Sequence, residues 1–173
     1  MAKGKARMIV LYGEPVLHQP CAAVTDFDRE LGRLVEDMGA SMRAAKGVGL
    51  AANQIGVALR VFVFDCPGAD GERRAGHIVN PVLRAVSGRV GTISDTEGCL
   101  SVPGTHTELR RAAVATVDGF DVQGRPLTVA GDGYLARCLL HECDHLDGVV
   151  YVDHLSARRR RRILAEAGID AAG

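Results

Sequence analysis

The densest chemistry in the chain lies in five consecutive residues, His141-Glu142-Cys143-Asp144-His145. The local pattern predicts a helix, and residues four apart share a helical face, so both imidazoles can reach one ion. Glu142 is turned from His141 by about a hundred degrees around the axis. That offset sets its carboxylate beside a metal-activated water, the position of a general base. Two imidazoles alone do not make a catalytic site, which usually has three protein ligands and one open position. In the extended protease pattern HExxHxxGxxH, Gly148 matches the glycine, but Tyr151 occupies the place of the last histidine. A downstream glutamate ligand would have to be Glu166, which sits among alanines near the end of an arginine-rich helix. Cys99, in Glu97-Gly98-Cys99-Leu100-Ser101, is the better candidate, since a thiolate with two imidazoles leaves a fourth position open. The competing reading is a buried, inert thiol, as is common for free cysteine. The same reading covers Cys21, Cys66, Cys138 and Cys143, although Cys138 falls three residues before His141 and could line the same cavity.

Composition limits what can surround such a site. The 173 residues and 18.3 kDa suit one domain, 1–173, and 47% hydrophobic with 24% charged residues excludes global disorder. Lysine plus arginine equals aspartate plus glutamate at 21 each, so no global field favours nucleic acid or an anionic membrane. The early apolar run Met8–Tyr12 is shorter than the roughly 7–15 residues of a signal-peptide core. No stretch approaches the roughly 20 apolar residues of a membrane span. The expectation is a reduced, cytoplasmic chain whose five cysteines are chemical or buried, not bridged.

The elements that must position these residues follow from periodicity. Residues 1–20 read as an extended arm punctuated by Gly13, Pro15 and Pro20. Thr25 with Asp28 fits a capping box, and Phe27, Leu31, Leu34, Val35, Met38 and Met42 recur at helical steps up to a stop at Gly47. Arg60–Cys66 reads as a buried strand. Further strands are expected at His77–Ser87, Gly91–Asp95, Leu100–Val102, Ala112–Asp121 and Pro126–Ala130, with a turn at Gln123-Gly124. Asp132 is a cap for a helix over Gly133–Leu146, with Leu135, Leu139 and Leu146 on its buried side. A last helix runs from Ser156 to Ala167. The sum is an α+β domain: mixed or antiparallel sheets around a central HExxH helix, with an N-terminal and a C-terminal helix.

At three places the residues resemble a known family. Gly47-Val48-Gly49-Leu50-Ala51-Ala52-Asn53-Gln54, Glu97-Gly98-Cys99-Leu100-Ser101 and His141-Glu142-Cys143-Asp144-His145 look like the three motifs of peptide deformylase, in order. The likeness runs from Gly13-Glu14-Pro15-Val16-Leu17 to the terminal helix. It implies a metal-dependent hydrolase that removes the N-formyl group from the formylmethionine of new bacterial polypeptides. It further implies that Cys99, His141 and His145 bind one divalent metal, natively Fe2+, with Zn2+ or Ni2+ able to occupy the site. Glu142 would be the acid–base residue, and Gln54 with the Leu100 N–H would hold the formyl oxygen. Gly49, Glu97, Gly98, His106 and Cys138 would contact substrate. Two positions depart from the family pattern: Leu140 where glutamine is common, and His106 where many bacterial members have arginine.

Arg158–Arg162 form five consecutive arginines. They suit either a solvated helix or electrostatic docking on RNA, and the resemblance favours ribosome contact. The partners expected are the N-formyl-methionyl polypeptide and the ribosome, for a monomer without membrane association. The rival functions are an HExxH zinc protease, a non-catalytic metal- or ribosome-binding relative, and a deformylase paralogue acting on another formylated substrate.

Overall fold

The computed structural model describes residues 4–68, 70–84 and 91–170. The arm before the first helix is extended, with a 3-10 turn at Pro15–Leu17. Helix α1 spans Arg29–Ala44. Its cap is Asp28 and not Thr25: Asp28 Oδ1 accepts from the N–H groups of Glu30 and Leu31, whereas the Thr25 hydroxyl donates to Asp26. Asp28 directly precedes the first helical residue, where unpaired N–H groups and the positive end of the dipole meet its carboxylate. Phe27 therefore falls outside the helix and packs edge-on against Phe120. At the other end the left-handed residue is Lys46, at φ 56°, instead of Gly47. Gly47 is needed for space, since a Cβ there would lie 2.7 Å from Leu100 Cδ1.

The strands are β1 (Gly49–Ala51), β2 (Val61–Pro67), β3 (Arg73–Leu83), β4 (Thr92–Cys99), β5 (Val102–Ala112), β6 (Val114–Phe120) and β7 (Pro126–Asp132). Helices α2 (Gly133–Leu146) and α3 (Ala157–Glu166) follow. Among the described residues, a five-stranded sheet has the order β1-β2-β3-β6-β7, and β4 and β5 form a separate hairpin. Every neighbouring pair is antiparallel. The result is an α+β fold of antiparallel sheets and three helices.

The sequence of β2 shows how the layers form. Phe62, Phe64 and Cys66 join Leu135 and Leu139 of α2 in one buried cluster. Val61 and Val63 join Leu31, Leu34 and Met38 of α1 in another. A strand covered on both faces has no reason to alternate apolar with polar, which is why it reads as a continuous apolar run. A third cluster ties the arm to α3: Leu17, Val102, Tyr151, Ile163 and Leu164 pack together.

Three strand expectations need correction. The third strand begins at Arg73, because its charged first residues are exposed and Arg73 pairs with Asp65 across the ladder. Residues 85–87 of the expected His77–Ser87 strand lie outside the described residues. Leu100 and Ser101 are not strand but the tip of the β4–β5 hairpin. Strand β5 escaped notice because two of its buried positions, Thr105 and Arg111, are polar. The α2 bounds agree with expectation, although the Asp132 side chain makes no capping hydrogen bond. Among the described residues no helix is long and apolar enough to cross a membrane.

Candidate metal centre

Helix α2 places His141 and His145 one turn apart with ring centroids separated by 4.9 Å. Strand β4 ends on Cys99. The Cys99 sulfur and one nitrogen from each histidine all lie within 4.8 Å of one another, and Cys99 Sγ is 3.1 Å from His145 Nε2. On the other side of His141, Nδ1 lies 2.7 Å from Glu97 Oε1. An ionised carboxylate can only accept, so the proton is on Nδ1 and Nε2 is left for an ion. One soft sulfur and two imidazole nitrogens, convergent on one point, fit a divalent transition metal.

Glu142 is buried beside this cluster without belonging to it. Among the described residues its Oε2 has no hydrogen-bond partner. Its Oε1 lies where a Cβ on Gly49 would come to 2.2 Å, so glycine at 49 is a steric requirement of the carboxylate. Burial pushes the Glu142 carboxyl up to about 7. Burial also holds His145 well below its ordinary value, as a neutral ring. For His141 burial opposes the charged ring, but hydrogen bonding to Cys99 and Glu97 more than offsets it. Burial likewise opposes the Glu97 charge, yet the bonds to His141 and Arg111 hold that carboxyl far below the usual range.

A cleft of about 400 Å³ opens over the cluster, bordered by Gly49, Gln54, Glu97, Gly98, Cys99, Leu100, His106, Cys138, His141 and Glu142. The Gln54 amide accepts from the Ala51 N–H through Oε1 and donates through Nε2 to Ser101 Oγ at 3.2 Å and Cys99 Sγ at 3.5 Å. Among the described residues no backbone carbonyl accepts from the Leu100 N–H at the hairpin tip. Gly98 faces His106 across the hairpin, where a Cβ would lie 2.5 Å from His106 Cδ2. His145 lies beneath the cleft, fully buried. Glu97 borders the opening, but its carboxylate faces inward and is engaged by His141, Arg111 and Arg137. Leu140 packs against the apolar cluster between α2 and the sheet.

Cys21, Cys66, Cys138 and Cys143 are all buried in that same cluster, Cys138 also reaching the cleft. The two positions weighed as protease-type ligands are engaged elsewhere. The Tyr151 hydroxyl bonds Thr105, and Glu166 pairs with Arg162. Sequence reading missed Arg111, Arg137 and Asp144, which brace the Glu97 carboxylate and α2 from behind. The signal for Arg137 was present: an arginine four residues before His141 shares its helical face, and that face is buried.

A thiol, two imidazoles and an adjacent unpaired carboxylate at the floor of a cleft make up the site of a metallohydrolase. A family model described as polypeptide deformylase matches residues 6–161. The chain is 55% identical over 165 residues to peptide deformylase 2 of Streptomyces avermitilis, covering 95% of this chain and 88% of that protein. A crystal structure of a peptide deformylase from Legionella pneumophila superposes with TM-score 0.84 at 39% identity, covering 94% of each chain. The Ehrlichia chaffeensis peptide deformylase in complex with actinonin gives TM-score 0.86 at 34% identity, over 94% of this chain and 95% of that one. The chain belongs to the polypeptide deformylase family.

Proposed function

We infer that the chain is a hydrolase that removes the N-formyl group from the formylmethionine of newly made bacterial polypeptides and releases formate. The observation that carries the mechanism is Glu142, buried, with one oxygen unpartnered, beside three convergent metal donors. Cys99, His141 and His145 would hold one divalent ion. Bound there, it would supply Lewis acidity toward the formyl carbonyl and toward water.

The remaining steps belong to the chain's own residues. Glu142 takes the proton from the water that attacks the formyl carbon, then delivers it to the departing amine. A carboxyl held at about 7 can do both near neutral pH. As the carbonyl oxygen becomes negative, the Gln54 amide and the Leu100 N–H donate to it. Gly49 keeps the path to Glu142 open, and Gly98, His106 and Cys138 border the peptide. The Glu97 carboxylate serves substrate indirectly, by orienting His141. Gln54→Ala is expected to lower kcat by ~10²–10³, the range for one lost oxyanion donor, with KM nearly unchanged. Steady-state formate release measures both.

Ferrous iron is proposed as the resident metal, with zinc or nickel as competent occupants; the sulfur-and-nitrogen donor set and the family resemblance support this. The 173 residues are read as one catalytic domain of a cytoplasmic monomer. On α3, Arg158, Arg159, Arg161 and Arg162 are exposed, and they are proposed to touch ribosomal RNA. Deleting the helix would also remove Ile163 and Leu164 from the core, so charge substitution is the cleaner test. Arg158→Gln with Arg161→Gln is expected to weaken ribosome co-sedimentation and its salt dependence while leaving deformylation of a free peptide intact.

The deciding experiment is a coupled assay for formate release from an N-formyl-methionyl peptide with anaerobically prepared iron protein. Formate at turnover rates supports the reading, and its absence overturns it.

A further inference from the structure

Among the described residues the β4–β5 hairpin shares no ladder with the five-stranded sheet. It nevertheless brings Cys99 to the centre, while α2 brings both histidines. Contacts other than a β-ladder must therefore fix the distance between sulfur and imidazoles.

The seam between hairpin and helix is polar and buried. Arg137, 5% exposed on α2, donates from Nη1 to Glu97 Oε2 at 2.8 Å and to the Leu109 carbonyl at 2.9 Å. Its Nη2 donates to the Ile93 carbonyl at 3.1 Å. One side chain on the helix thus reaches β4, β5 and the carboxylate that orients His141. Arg111 donates to both oxygens of Glu97 and extends to Asp144 of α2 at 2.6 Å. The two separated nitrogens of a planar guanidinium reach acceptors on both strands at once, a span that the single nitrogen of lysine lacks. A cation buried to this degree carries a desolvation penalty, so its place on the ligand face, with all three acceptors engaged, points to a positional role.

We propose that Arg137 is a positioning residue that locks the hairpin bearing Cys99 against the helix bearing His141 and His145, and so sets how firmly the metal is held. The proposal rests on the reading of those three residues as ligands. Without Arg137 helix α2 loses its ties to the Ile93 and Leu109 carbonyls of the two hairpin strands, and Glu97 Oε2 loses one of its two arginine partners. Losing an outer partner of this kind typically costs ~10–100-fold in metal affinity.

The test loads wild type, Arg137→Met and Arg137→Lys with zinc and follows release to a chromophoric chelator, well below each melting temperature. Circular dichroism and thermal melts run alongside. Release from Arg137→Met is expected to be ~10–100-fold faster with native secondary structure. Arg137→Lys should fall between, since an ammonium can serve Glu97 and the Leu109 carbonyl but not also Ile93. A folded Arg137→Met that melts lower yet releases zinc at the wild-type rate would show a merely structural arginine and overturn the proposal. If Arg137→Met does not fold, the lysine variant decides: faster release supports the lock, and wild-type release overturns it. Failure of wild type to take up stoichiometric zinc would instead overturn the ligand assignment itself, and the lock with it.

Discussion

Glu142→Ala is expected to keep a full equivalent of metal while kcat falls by at least ~10²–10⁴, the contribution typical of a general acid–base residue. Glu142 contributes no atom to the donor cluster, so its removal leaves Cys99, His141 and His145 in place. What disappears is a buried carboxylate oxygen without a partner among the described residues, and with it the group proposed to accept the water's proton and protonate the amine. Because no substrate contact is assigned to it before proton transfer, KM should move little, and kcat and kcat/KM should fall together. The loss should sit at the upper end of the range. A thiolate ligand donates more charge than imidazole, weakens the ion as a Lewis acid, and leaves more of the water activation to the carboxylate. Elemental analysis of the same preparation used for kinetics separates chemistry from metal loss. A metal-loaded Glu142→Ala protein with a near-normal rate would sink the assignment.

The legible parts of the fold and site were those written in short-range patterns. The histidine spacing on α2, its bounds and its buried leucines follow from a 3.6-residue period, and the structure places them accordingly. The apolar run in β2 announced a strand covered on two faces. What stayed hidden depends on long-range pairing. Strand β5 buries Arg111 against Glu97, fourteen residues away, and no apolar alternation marks a strand that buries a threonine and an arginine. The cap of α1 moved from Thr25 to Asp28 because three residues able to cap, Thr25, Asp26 and Asp28, lie within four positions, and only the backbone path selects among them. Glu97 read as a cleft residue from its motif neighbours. Its inward turn is set by Arg111 and Arg137, which arrive from β5 and α2. Pairing of charges across elements has no sequence period, so the residues behind the ligands were the least visible.

Cys99→Ala is expected to leave a folded protein that no longer holds metal, dropping well below one equivalent per chain on elemental analysis. Two imidazoles on one helix turn are too few for a stable centre, which usually needs three protein ligands. The sulfur is also the point where three elements meet: it lies 3.1 Å from His145 Nε2, 3.4 Å from the Ser101 N–H and 3.5 Å from Gln54 Nε2. Fold retention is expected because Cys99 is partly exposed at the hairpin tip, unlike the four buried cysteines. Linkage gives a second measurement, independent of turnover. At a zinc concentration ~100-fold above Kd, a folded-state site adds about 2.7 kcal/mol of stability. For a chain of this length each 1 kcal/mol moves Tm by roughly 2–4 °C, so wild type should gain about 5–10 °C. The Cys99→Ala variant should gain none at the same zinc concentration. A variant that keeps stoichiometric metal and the full zinc-dependent rise in Tm would return Cys99 to the role of a packing thiol and leave the third ligand to be found elsewhere in the cleft.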